Sequence, residues 1–113
     1  MSYAHMLVRH YDGLFHAKGH NISSRLFIYN NSQCSKYSPK YWHIIDRTTG
    51  QSIMHYPLDR FRTKQAAISA APSELEYMLD KIKNSDSFSQ KYSLAVDEYN
   101  KLLEEYKLSR KGV

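Results

Sequence analysis

Six histidines, at positions 5, 10, 16, 20, 43 and 55, are the side chains in this 113-residue chain best suited to chemistry. Imidazole can ligate a metal, move a proton or stack on another ring. As ligands these residues are poorly arranged. His16 and His20 are four apart, but Gly19 and the flanking pattern place them in a hairpin or loop, with Asp12 the only carboxylate nearby. No Cys–Cys or His–His spacing of a zinc module occurs, so neither metal nor cofactor is expected. Cys34 lies in a polar Ser/Gln/Lys run with no histidine beside it, which gives no sign of an activated thiolate. Asp46 and Asp59 would reach a histidine only if the fold brought them together. A metal-free nuclease or toxin built on His and Tyr leaves no motif, and stands as the third functional reading. The first two readings are non-enzymatic.

Charge is the stronger signal. Residues 1–72 carry nine Lys/Arg against three acids, with all six histidines, six of ten tyrosines and the single Trp42. Residues 73–113 carry seven Lys/Arg against eight acids. A basic, aromatic front half on a nearly neutral back half reads as a binding face on a scaffold, and the complementary partner is polyanionic. Arg9, Lys18, Arg25, Lys36, Lys40, Arg47, Arg60, Arg62 and Lys64 form the basic set. Tyr37, Tyr41, Trp42, Tyr56 and Phe61 interleave with it, a mixture on which bases can stack while cations hold phosphates.

The elements that must position these residues follow from periodicity. Ala4, Met6 and Val8 alternate with His5, Leu7 and Arg9, which predicts a strand, and Asp12-Gly13 predicts the tight turn of a hairpin. Residues 25–29 form the next strand. Residues 41–46 form the strongest one, returning through Arg47-Thr48-Thr49-Gly50 to a strand over 52–56 that Pro57 ends. If Trp42 and Ile44 point inward, Tyr41, His43 and Ile45 face out; the contrary orientation puts Trp42 on the binding face. Thr63 caps an alanine-rich helix that Pro72 interrupts; Ser73 with Glu76, then Ser87 with Gln90, cap two further helices. The stripe Phe88, Tyr92, Ala95, Tyr99, Leu102, Tyr106 steps by four and three along the last helix. It either docks within the chain or pairs two copies; the pairing reading assigns Phe88, Tyr92, Tyr99, Leu102 and Tyr106 to a homodimer interface.

Residues 41–71 add a resemblance. An aromatic-led strand, a turn with Gly, a second strand and Phe-x-Thr-Lys-x-x-Ala opening a helix resemble the AP2-like and arm-type DNA-binding domains of phage integrases. The matching positions are Trp42, Gly50, Phe61, Thr63, Lys64 and Ala67, within about a quarter of the chain. Pro57-Leu58-Asp59 departs from the pattern, and no recombinase domain follows in the sequence. The resemblance implies a sheet lying against DNA through Trp42, His43, Arg47, His55 and Tyr56. The chain is also similar in style to small phage and mobile-element proteins, anti-defence inhibitors among them.

The fold expected is α+β, one domain over 1–113 with a basic β-rich half (1–60) and a helical half (61–113). A four- to five-stranded, mainly antiparallel sheet over 3–56 should be covered on one face by two to three helices over 63–110. The leading function is a nucleic-acid-binding protein of a phage or mobile element. Its contacts would be Arg9, Lys18, Lys36, Lys40, Tyr41, His43, Arg47, His55, Tyr56, Arg60, Arg62 and Lys64. The alternative is an anti-CRISPR-like inhibitor that blocks a host nucleoprotein complex by protein contact. With no long apolar run and no leader-like N-terminus, a cytoplasmic location without membrane contact is expected.

Overall fold

Alternation along the first two apolar segments builds a hairpin onto which the rest of the sheet is added, and a computed structural model of the chain shows how. It describes residues 2–10, 13–31, 40–54 and 58–111, without the side chains of 2, 10 and 109–111. The elements are β1 (Ser2–His10), β2 (Gly13–Asn21), β3 (Leu26–Asn30), β4 (Trp42–Asp46), α1 (Lys64–Asn84) and α2 (Asp86–Lys111). The four strands form one antiparallel sheet in the order β1-β2-β3-β4, followed by the two helices. This is the α+β arrangement expected.

The sheet curls. β1 and β2 pair over their whole length, from Ser2↔Asn21 to His10↔Gly13, whereas β2 meets β3 only at Gly19, His20 and Asn21. Beyond Gly19 the β1–β2 hairpin leaves the plane and folds over β3 and β4. Its inner side chains Val8 and Ala17 join Phe27, Tyr29 and Ile45 in one core cluster. The curl brings Arg9 N to the carbonyl oxygen of Gly50, just past β4, at 2.8 Å. A Cβ on Gly19 would lie 2.0 Å from the Ile28 carbonyl oxygen, so only glycine lets the strands cross so closely. On the opposite face Leu26, Ile28 and Ile44 pack against Ala67 and Ala71 of α1. β3 is therefore buried on both sides, which explains its unbroken apolar run Leu26-Phe27-Ile28-Tyr29.

Several expectations are corrected. Gly13 is the first residue of β2, paired with His10, not the turn itself; Tyr11 and Asp12 lie outside the described residues. Ile45 does not face out, because the folded-over hairpin covers it. Gly50 does take the left-handed conformation (φ 69°). Of the return strand expected over 52–56, the described residues 52–54 contribute one bridge, Ile45↔Ser52, and residues 55 and 56 lie outside the described residues. There the Ser52 hydroxyl accepts from Met54 N at 3.3 Å, a local bond that competes with a ladder. Phe61 pairs with Trp42 instead, its amide and carbonyl both engaged. Pro72 does not interrupt the helix: α1 runs through it, with Ala67 and Ala71 packed on the sheet before it and Met78 buried after it. Ser73 and Glu76 consequently sit inside α1. Thr63 caps α1 as expected, accepting from Ala66 N at 3.1 Å. The cap of α2 is Ser85, two residues earlier than expected, accepting from Phe88 N.

The α2 stripe docks within the chain. Tyr99 is 5% exposed, with its ring against Gly50 and its hydroxyl donating to the Leu7 carbonyl at 2.5 Å. Tyr92 donates to Asp46. Phe88, Leu102 and Tyr106 are half-buried. Among the described residues, no helix is long and apolar enough to cross a membrane.

Candidate nucleic-acid interface

The curl separates the two sides of the hairpin. One enters the core; the other carries Tyr3, His5, Leu7 and Arg9 from β1 and Leu14, His16, Lys18 and His20 from β2. Cross-strand pairing sets Tyr3 opposite His20 and His5 opposite Lys18. Their rings touch: His5 and His16 stack at 5.0 Å between centroids, and Tyr3 meets His5 edge-on at 5.5 Å and His20 at 5.8 Å. Tyr3 is 63% exposed, and His5, His16 and Lys18 are exposed too. Neither strand contains an acidic residue. The result is an aromatic surface of fixed geometry that also carries the charge of Lys18.

Further cations approach the same end. Arg47 Nη1 donates to Asn21 Oδ1 at 2.6 Å, next to His20. Burial first, then the charge of Lys64, hold His20 below the usual histidine range. Arg9 is committed inward instead: it pairs with Glu98 of α2 at 2.8 Å and its side chain is 16% exposed.

Arg25 belongs to a structural network rather than an open face. Asp46 is buried, and accepts from Tyr92 at 2.5 Å and from Thr48 N at 3.0 Å. Arg25 Nη2 donates to Tyr92 at 2.6 Å, with its Nε 3.6 Å from Asp46. Burial chiefly, and the neighbouring Asp46 carboxylate, push the Tyr92 phenol up.

Of the other expected contacts, Tyr41, His43 and Arg60 fall on a different corner. His43 packs beside Tyr29 at 5.4 Å, with Nδ1 3.7 Å from Asp59 Oδ2, and its side chain is 15% exposed. Burial lowers its proton affinity more than Asp59 raises it. At 3.7 Å the two side chains are beyond hydrogen-bond length. Arg60 stacks over Tyr41 at 5.2 Å. Lys40 and Arg62 are exposed, and Lys64 opens α1 half-buried. Lys36, His55 and Tyr56, together with Cys34 and Tyr37, lie outside the described residues. The structure thus gathers Lys18, Arg47 and Lys64 near one end of the hairpin and places Tyr41, His43 and Arg60 elsewhere. Among the described residues no group of three or more His, Cys, Asp or Glu could hold a metal ion.

Tyr3, His5, His16 and His20 were not among the expected contacts. Their signal was present: once the hairpin register is set, period-two alternation places all four on the side opposite Val8 and Ala17. Comparison with protein-family models, with curated proteins and with solved structures found no match.

Proposed function

We propose that this is a non-enzymatic nucleic-acid-binding protein of a phage or other mobile element, and that it binds through the outer face of the β1–β2 hairpin. The observation that carries the reading is that face itself: Tyr3, His5, His16, Lys18 and His20 in ring contact or direct cross-strand pairing, on two strands without a carboxylate. Arg47 and Lys64 extend its charge. Such a surface suits single-stranded nucleic acid, whose bases are free to stack. Affinity for a fluorescent oligonucleotide should fall steeply with salt, because each phosphate contact releases counterions. Lys18→Ala should reduce the log–log salt slope by about one, and Tyr3→Ala should weaken binding by roughly 1–3 kcal/mol if a base stacks there. An affinity indifferent to salt sinks the reading.

The second reading, an inhibitor of a host nucleoprotein complex, is favoured by exposed apolar side chains on the helical half, Tyr77 and Leu94. A partner captured from host lysate that survives nuclease treatment supports it; one lost with the nucleic acid supports direct binding.

A further inference from the structure

α1, α2 and the chain after β4 enclose a groove that shares no residue with the hairpin face. It has two lobes joined at Ile53, Met78, Lys81 and Phe88. One lobe, about 190 Å³, is chiefly apolar and is flanked by Leu58 and Tyr77, both more than half exposed. The other, about 330 Å³, is lined by hydroxyls and Lys91. Lys81 stands at the junction. Its Nζ lies 4.9 Å from the Tyr77 ring centroid and 5.3 Å from that of Phe88. Among the described residues no carboxylate pairs with it. A cation held between two rings at the mouth of an apolar lobe is preorganised for an anion that arrives attached to an apolar group. Asp46 does not oppose this, being satisfied by Tyr92 and Thr48. Glu74 lines the apolar lobe only.

We propose that this groove docks a segment of a partner protein presenting an apolar side chain beside a carboxylate. The apolar group would enter between Ile53, Met78 and Phe88, with the carboxylate on Lys81. Charge complementarity selects an acidic segment over a neutral one, and the exposed Leu58 and Tyr77 supply the apolar rim of such a contact. The proposal is independent of nucleic-acid binding.

The test is a titration of the isotope-labelled full chain, followed by NMR. The probe is the capped peptide acetyl-Leu-Glu-Phe-Glu-Leu-amide, compared with its Gln counterpart and with 2-naphthoate. Saturable shifts at Ile53, Met78, Lys81 and Phe88 are expected with the acidic peptide. Binding should weaken about tenfold with the Gln peptide or in Lys81→Met, which keeps an apolar stem against the rings, as loss of one charge-assisted contact implies. Lys81→Arg should retain binding, and Lys18→Ala, which alters the hairpin, should leave the peptide's affinity for the groove as it was, which keeps this outcome separate from that of the hairpin. No saturable shift at millimolar peptide overturns the proposal. So does equal binding of the Gln peptide or by Lys81→Met with the fold intact. Binding of 2-naphthoate without the peptide also overturns it, by showing a site for small acids instead.

Discussion

At the residue scale, two histidines record what the fold did to their surroundings. His43 and His20 both bind protons less readily than the ordinary histidine value of 6.5, burial being the larger cause in each. A group whose proton affinity is lower folded than unfolded draws protons toward the unfolded chain, so stability is full above that value and declines as pH falls below it. Thermal scans should give a lower midpoint at pH 5 than at pH 7.5, and His43→Gln should flatten part of that slope; an unchanged midpoint contradicts the assignment. Glycine at position 50 is under a sharper constraint. Its φ is positive, and an added Cβ would lie 2.4 Å from the Tyr99 ring. Gly50→Ala should therefore cost more than the roughly 1 kcal/mol of a left-handed alanine alone, read as a lowered denaturation midpoint. Tyr92→Phe removes one donor from buried Asp46 and should cost about 1–3 kcal/mol on the same measurement.

At the scale of elements, α1 shows packing overriding a local rule. Pro72 supplies no amide hydrogen and disfavours a helix interior by about 3 kcal/mol relative to alanine. The helix nevertheless continues, because its buried residues on both sides of Pro72 lie on one face. Pro72→Ala should raise the thermal midpoint; a fall would mean that the proline ring contributes more through contact with its neighbours than it costs. The same contrast explains what was legible in the sequence. Thr63 at the cap, Gly50 in the turn and the alternation of β1 act through their immediate neighbours, and each could be read directly. The burial of Ile45, the two-sided packing of β3 and the inward commitment of Arg9 depend on the hairpin folding over β4. That fold-over hinges on Gly19 and on contacts between distant segments, so no local pattern announced it. For the proposed binding face the split is similar: its basic, aromatic chemistry was plain in the composition, whereas proposing Tyr3, His5, His16 and His20 over Tyr41 and His43 needed the curl.

At the scale of the whole molecule, the stripe on α2 is shared between core and surface. Tyr99 is consumed inside the chain, so Tyr99→Glu should unfold it rather than merely separate two copies, as circular dichroism would show. Light scattering should read one chain, 13.3 kDa. Twice that mass would restore a homodimer through Phe88, Leu102 and Tyr106. The bond from Tyr99 to Leu7 has a further consequence, in time rather than energy. It joins residues 92 apart, and a ribosome adding about 5–20 residues per second needs roughly 5–20 s to make the second after the first. Throughout that interval β1 lacks the helix that clasps it. A nascent or truncated chain ending before residue 99 would therefore carry a hairpin packed on β3 and β4 but without its α2 clasp, and translation must pass that point before the first strand can be secured by the last helix.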